Sequence, residues 1–223
     1  MHFALLLFSL ATSVADLERA RDRQDRAALE KLATEARAAA SRQPNSAAAQ
    51  HRLAVAQSFA AEVAMELRDK AQAKTAAEAG IAAAEKAVAL DGGNPEHHRM
   101  LGTLCGQVIP ANVWAGLKYG RCALDSINKA IELDPKAALN YVSRGVGNYY
   151  LPPAFGGGVD KAIEDFRKAL QLNPRLAEAH LWLGIALRKA NRNAEARQAL
   201  QKSLELNPDR LWTKQQLEKT PAR

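Results

Sequence analysis

Two cysteines are the residues of this sequence whose types and positions best suit a defined chemistry. Cys105 and Cys122 lie in neighbouring stretches whose apolar residues recur at helical spacing. In an oxidising compartment they would form a disulfide between the two helices of one hairpin. The alternative is a pair of small, buried apolar side chains. A disulfide requires Cα atoms within about 7 Å, a distance that the sequence leaves open.

The other candidate residues for catalysis or for ligand binding do not form a complete motif. His97 and His98 are adjacent, so on a helix they point about 100° apart and cannot bind one metal ion from one face. Gly156, Gly157 and Gly158 precede Lys161 but do not form the full G-x-x-x-x-G-K-[ST] phosphate-binding pattern. The motifs HExxH, CxxC and GxSxG are absent from the sequence. We therefore expect no enzyme activity, no metal site and no cofactor.

A recurring phrase indicates the elements that position these residues. EKAVALD at 85–91 recurs as NKAIELDP at 128–135, RKALQLNP at 167–174 and QKSLELNP at 201–208. Each phrase has apolar residues at helical spacing, and the Asp-Pro or Asn-Pro that follows in three copies favours the end of a helix. The lysines of the four phrases are spaced by 43, 39 and 34 residues, and the last spacing equals the period of a known helical repeat.

A second phrase precedes each of these helices and predicts helical hairpins. HHRMLG at 97–102, YVSRG at 141–145 and HLWLG at 180–184 each end in a glycine. A small residue follows on the next helix, such as Ala196 after Gly184. Two small residues allow two helices to approach closely, so we expect Gly184 and Ala196 to face each other within a hairpin.

The repeat resembles the tetratricopeptide repeat (TPR). This resemblance implies an all-α fold, a right-handed αα-superhelix of about four helical hairpins with leading and closing helices and a concave groove. Longer features, LCGQ at 104–107 and YYLPPAFGGG at 149–158, resemble bacterial secreted or periplasmic TPR proteins and the TPR domain of the regulator of microtubule dynamics family. The residues that match the TPR pattern in the last unit are His180, Leu183, Gly184, Ala196, Leu200 and Pro208.

The expected organisation is a signal peptide followed by one solenoid domain. Residues 16–43 are predicted to form an unpaired leading helix. Two longer connections, 107–114 and 151–158, are predicted to be loops that carry Trp114 and Phe155 near their tips. These aromatic residues either form a rim, a lid or a membrane-touching edge, or fold back over helix ends. The domain spans 16–223, with units at about 46–93, 94–136, 137–175 and 176–209 and a closing helix at 210–219.

The first 15 residues have the pattern of a secretory signal peptide. An apolar run at 3–10 precedes Ser13-Val14-Ala15, whose small residues suit cleavage before Asp16. The run is too short to span a bilayer, which takes about 20 residues. We therefore expect a periplasmic or secreted protein without a transmembrane segment.

The charge balance does not favour a nucleic-acid partner. The chain carries a formal net charge of +7. Its lysines and arginines form no run of five or more, and their dispersal is typical of solvent-facing helix surfaces.

The TPR resemblance implies that one face of each first helix lines the groove. Those positions are mostly apolar, which suits a protein or peptide partner. The groove therefore predicts a non-enzymatic binding scaffold, with a periplasmic carrier or sensor of a small apolar ligand or lipid as the alternative. A further alternative is that the leading or closing helix fills the groove as ordinary core. The predicted groove residues are Val55, Phe59, Arg99, Thr103, Val142, Val146, Tyr149, Tyr150, Leu181, Trp182 and Ile185.

Overall fold

The protein is a stack of helical hairpins. A computed structural model describes residues 13–109 and 113–222. Each odd-numbered helix up to α9 packs on the next even-numbered helix, and the odd-numbered helices of consecutive hairpins also contact each other. The predicted all-α superhelix is thereby confirmed. The helices are α1 (Val14–Asp22), α2 (Arg26–Arg42), α3 (Ala47–Glu66), α4 (Lys70–Leu90), α5 (Pro95–Val108), α6 (Val113–Leu133), α7 (Ala138–Tyr150), α8 (Val159–Leu172), α9 (Ala177–Lys189), α10 (Asn193–Leu206) and α11 (Leu211–Glu218).

The leading segment is a hairpin, not the single unpaired helix expected over 16–43. The chain reverses at Gln24, whose φ of 52° ends α1, and the Asp25 side chain accepts a hydrogen bond from the Ala28 backbone N–H to start α2. The turn between α3 and α4 has the same two features: Arg68 has a φ of 64°, and Asp69 is the N-cap of α4. An Asp at such a position is a helix-start signal in the sequence.

The close approach predicted within the last hairpin is confirmed. A Cβ atom added to Gly184 would lie 2.6 Å from Leu200 Cγ and 3.0 Å from the Ala196 carbonyl oxygen. No side chain fits in that space, so glycine at this position lets α9 lie directly against α10.

The two longer connections differ from each other. The α7–α8 connection is non-helical except for a 3₁₀ turn at Pro153–Phe155, whereas α5 extends to Val108 and α6 begins at Val113. Within the loop expected at 107–114, the described residues 107–109 and 113–114 are helical, and Trp114 lies in the first turn of α6. Trp114 and Phe155 are 78% and 76% exposed. This exposure does not fit the alternative that they fold back over helix ends.

Cys105 and Cys122 form a disulfide between α5 and α6, with their Cα atoms 6.0 Å apart. Cys105 is fully buried in the core of the N-terminal half of the stack. The bond joins the two helices of the second unit. A cross-link of this kind stabilises the fold chiefly by restricting the unfolded chain.

The predicted signal peptide lies mostly outside the described residues, which begin at Ser13. The Ser13 hydroxyl oxygen accepts a hydrogen bond from the Asp16 backbone N–H at 3.0 Å and so caps α1. The predicted cleavage point after Ala15 therefore lies in the first turn of α1. Across residues 13–109 and 113–222, no helix combines the length and the apolar character that a membrane span requires.

Candidate functional site

The first and last turns of the stack meet across the concave face. This face is built by α3, α5, α7 and α9, which carry the predicted groove residues. Asn207 Nδ2 donates to Asp22 Oδ2 at 2.8 Å, and Gln215 Nε2 donates to Gln24 Oε1 at 3.0 Å. Gln24 Nε2 in turn donates to Glu66 Oε2 on α3 at 2.8 Å. The two ends of the superhelix are thus joined over the end of α3.

A buried set of charged side chains lies at this junction. We call Arg21, Asp22, Glu62, Glu66 and Arg210 the closure network. Arg210 is 1% exposed, and its Nη2 donates to Glu62 Oε1 at 2.6 Å and also to Glu66. Its Nη1 donates to Glu66 Oε2 at 3.1 Å. Arg210 therefore links the closing segment to the concave side of α3.

The closure network contains more acidic than basic groups. Burial raises the pKa of Glu62, although Arg210 and Arg21 act in the opposite direction. Burial also raises the pKa of Glu66. Glu178 on α9 adds further negative charge close to both glutamates. Two guanidinium groups thus face four carboxyl groups, so the carboxylates depend on the arginines for their charge compensation.

Aromatic side chains occupy the concave face next to this junction. We call Tyr149, Tyr150, Trp182 and Trp212 the aromatic cluster. The Tyr149 and Tyr150 rings are 5.0 Å apart, and the Trp182 and Trp212 rings are 5.2 Å apart. Trp212 comes from α11, so the closing helix covers Trp182, which is 8% exposed. Tyr150 remains 51% exposed at the end of α7.

Two protein-family models match this sequence. The family model described as Regulator of microtubule dynamics protein 1-3 matches residues 11–151, more than half of the sequence. The chain belongs to this family. A tetratricopeptide repeat model matches residues 155–210. The resemblances to the tetratricopeptide repeat and to the regulator of microtubule dynamics family are confirmed.

Individual relatives match this sequence over only part of their own length. It is 33% identical over 90 residues to the small glutamine-rich tetratricopeptide repeat-containing protein 2 of Mycosarcoma maydis, covering 40% of this chain and 24% of that protein. It is 33% identical over 101 residues to anaphase-promoting complex subunit 3 of Schizosaccharomyces pombe (strain 972 / ATCC 24843), covering 45% and 14%. The chain therefore spans a quarter or less of either relative.

A solved structure shares the fold over most of both chains. A thermophilic TPR protein of Thermus thermophilus superposes with a TM-score of 0.65 at 18% identity, covering 86% of this chain and 90% of that one. The family member is a TPR scaffold, an architecture that typically serves protein interaction through its concave surface.

The predicted apolar floor of the groove is mostly closed. Val55, Val142, Leu181, Trp182 and Ile185 are each at most 8% exposed. This corrects the prediction of one continuous apolar floor that is open to a partner. The physical reason is that α1 and α11 lie against the concave face, which was the alternative left open by the sequence.

The remaining groove residues differ in their exposure. Arg99 and Thr103 are half-buried and hydrogen-bond to Ser143 across the seam between α5 and α7. Phe59 is half-buried beneath the Arg21 guanidinium, whose Cζ lies 4.7 Å from the ring centroid. Val146 and Tyr149 are half-buried, which leaves Tyr150, at 51% exposure, as the most accessible of the predicted groove residues.

Sequence reasoning missed the closure network. Glu62 and Glu66 interrupt an otherwise apolar stretch, AAEVAMEL at 60–67, and this interruption was the signal available. A charged residue on the apolar face of a helix indicates a buried partner. Arg210, which follows the last Asn-Pro-Asp, gave no sign that it would be buried.

The histidines stabilise the joint between α4 and α5. His97 Nδ1 lies 3.1 Å from the Asp91 carbonyl oxygen, and His98 Nε2 lies 2.9 Å from that of Gly92. The His51 ring on α3 packs 5.0 Å from the His97 ring. Among the described residues, no three His, Cys, Asp or Glu side chains are arranged to hold a metal ion.

We expect acid to destabilise the protein through His51. Burial lowers its pKa from 6.5 to about 4, although the nearby Glu96 carboxylate acts in the opposite direction, and His97, Arg99 and Arg52 lower it further. Between these values the unfolded chain binds a proton that the folded protein does not. Stability is therefore lost as the pH falls from about 6.5 towards 4, by about 2–3 kcal/mol. Urea unfolding of wild type and His51→Gln across this range measures it, and equal pH slopes for the two proteins would contradict it.

Proposed function

We propose that the protein is a non-enzymatic scaffold that binds a short peptide or a protein loop on its concave face, next to the aromatic cluster. The observation that carries this proposal is the contrast between Tyr150, which is 51% exposed, and the buried floor residue Leu181, which is 0% exposed. The accessible part of the concave face is short because α11 covers Trp182. An extended segment fits such a site better than a helix that would need the whole groove.

The chemistry around Tyr150 favours a partner with an apolar or aromatic side chain and an acidic neighbour. The Tyr149 and Tyr150 rings meet edge to face, and about half of the Tyr150 side chain remains exposed for contact with a partner. The Lys189 ammonium lies 4.2 Å from the centre of the Tyr149 ring and donates to the Tyr149 carbonyl oxygen at 2.9 Å. A carboxylate on the partner would meet this ammonium at the rim of the site.

We expect Tyr150→Ala to weaken partner binding while leaving the fold intact. Truncation of an aromatic anchor often costs about 2 kcal/mol or more, roughly thirtyfold in affinity. A pull-down with the purified protein as bait identifies a partner, and titration calorimetry then compares wild type with Tyr150→Ala. Leu133→Ala, which removes a 36%-exposed apolar side chain at the end of α6, is the matched control. Unchanged affinity of Tyr150→Ala would refute this site.

We also propose that the protein acts in the periplasm or outside the cell. The apolar run at 3–10 and the disulfide between Cys105 and Cys122 support this location, because disulfides persist in oxidising compartments. Mass spectrometry of protein recovered from the extracytoplasmic fraction should show a chain that begins at Asp16. This chain retains Leu17, which is buried in the core. Recovery of the intact Met1 form alone would contradict this proposal.

A further inference from the structure

The closing helix α11 depends on other elements of the protein for its stability. It comprises eight residues, Leu211–Glu218, and the side chain of Arg210 before it binds the closure network instead of capping the helix. Isolated helices shorter than about 12 residues are marginal in water. The position of α11 on the concave face is therefore set by its contacts with α9, α10 and the turn after α1.

The side chains that α11 buries are poorly matched to an apolar face. Thr213 and Gln216 are buried and polar, and the Thr213 hydroxyl has no hydrogen-bond partner among the described residues. A buried hydroxyl without a partner loses the hydrogen bonds that water would give it. Trp212 and Leu217 are half-buried against the C-terminal core cluster, and Leu211 is 37% exposed. A segment with more apolar side chains at these positions would gain more from the same surface.

Two arginines bind the C-terminal end of α11. Arg188 of α9 donates from Nη1 to the Gln216 carbonyl oxygen at 3.0 Å and from Nη2 to Gln216 Oε1 at 2.6 Å. Arg197 of α10 donates from Nη1 to the carbonyl oxygens of Thr220 and Leu217, at 2.8 and 3.3 Å. Three of these four acceptors are backbone carbonyl oxygens, which every peptide carries, and a carboxylate binds a guanidinium more strongly still. Another segment in the place of α11 would therefore satisfy the same arginines.

The closure network lies before α11 in the chain and does not depend on it. Arg210 is 1% exposed and bonded to Glu62 and Glu66, and Asn207 donates to Asp22. The chain from 211 onwards would leave the concave face without breaking these bonds. Its departure would break the bond between Gln215 and Gln24. Arg210 is thus placed to act as the fixed end of a hinged segment.

We propose that α11 is an autoinhibitory segment, which the binding partner displaces from the concave face. This inference rests on the proposed function, because it concerns the same site. The ring centroids of Tyr150 and Trp182 are 6.3 Å apart, so displacement of Trp212 would extend the accessible surface from Tyr150 onto Trp182. The partner that fits is a segment with one aromatic or apolar side chain at Tyr150 and a second in the place of Trp212. Its carbonyl or carboxylate oxygens would bind Arg188.

Binding of α11 as a free peptide tests its displacement in the full chain. The probe is a fluorescein-labelled peptide of residues 211–220, LWTKQQLEKT, and the measurement is fluorescence anisotropy. The wild type should bind it weakly, because its own α11 competes at an effective concentration of about millimolar. Trp212→Ala in the chain should raise the affinity for the peptide at least roughly tenfold, since loss of the aromatic anchor weakens this internal competitor.

Thr213→Val in the chain should have the opposite effect. Valine keeps the shape of threonine and removes the unpaired buried hydroxyl, so α11 should bind its own groove more tightly. The affinity for the peptide should then fall about threefold or more, and the protein should keep its fold. Lys214→Ala is the matched control, because Lys214 is exposed on the same helix, and it should bind the peptide like the wild type.

Hydrogen exchange supplies a second measurement on the wild-type chain. Saturating peptide should speed the exchange of the α11 backbone amides at least about fivefold and leave those of α9 and α10 unchanged. Equal peptide affinity of Trp212→Ala, Thr213→Val and the wild type would overturn the proposal, and so would α11 exchange that the peptide does not change. Neither measurement uses the natural partner. Such a result would therefore leave the loss of partner binding expected for Tyr150→Ala as a separate test of the proposed function.

Discussion

Arg210→Met should lower the free energy of unfolding by about 3–5 kcal/mol, the loss typical of a buried ion pair from which one partner is removed. Arg210 is 1% exposed, and its guanidinium hydrogen-bonds to Glu62 and Glu66. Without it, these carboxylates would stay buried next to Asp22 with Arg21 as the remaining cation of the closure network. Chemical denaturation at neutral pH measures the loss.

A rescue experiment separates charge compensation from packing. Adding Glu62→Gln and Glu66→Gln to Arg210→Met should restore part of the lost stability, because the neutral amides no longer need a cation. Arg192→Met is the matched control, since the Arg192 side chain is 39% exposed and pairs with Glu195 at the surface. It should cause a much smaller loss. If Arg210→Met unfolds like this control, the closure network does not hold the two ends of the stack together.

Leu181→Ala should destabilise the protein by about 2–5 kcal/mol and lower its melting temperature by several degrees. Leu181 is 0% exposed and belongs to the core cluster of the C-terminal half of the stack. Its truncation leaves a cavity that the surrounding helices can fill only in part. Calorimetric or fluorescence melts of the purified variant measure this effect.

The same variant tests whether the concave floor is core or binding site. Leu139→Ala is a suitable control, because Leu139 lies in the first turn of α7 and is 39% exposed. Leu181→Ala should weaken partner binding only in proportion to the unfolded fraction. A wild-type melting temperature combined with a large loss of affinity would instead show that the floor is open to the partner.

Together, these two predictions concern how the concave face is closed. α11 contributes Trp212 to the aromatic cluster. Its Gln216 Oε1 accepts a hydrogen bond from Arg188 of α9 at 2.6 Å. The covered floor and the closure network lie side by side, so destabilising one of them should loosen the other. This coupling would appear as a non-additive effect when Arg210→Met and Leu181→Ala are combined.

The repeat architecture could be predicted from the amino-acid sequence. The four recurring phrases, the prolines after them and the pairing of Gly184 with Ala196 all depend on spacings of a few residues along one or two helices. Such local patterns predict helices and hairpins reliably, because helix period and small-residue contacts are properties of neighbouring segments. The disulfide was left as one of two outcomes, since the distance between Cys105 and Cys122 depends on how α5 packs on α6.

What covers the concave face could not be predicted from the sequence and is seen in the folded protein. Gln24 and Gln215 are far apart in the sequence, yet their side chains hydrogen-bond to each other at 3.0 Å. Each hairpin is rotated slightly relative to the one before it, and this contact depends on the total rotation over the stack. A local sequence pattern does not predict that total. The apolar residues of α9 have the same spacing in the sequence whether a partner or another helix of this protein covers them. Leu181 is core because it belongs to the cluster against which Trp212 and Leu217 of α11 pack, whereas Tyr150 lies at the end of α7 and is 51% exposed.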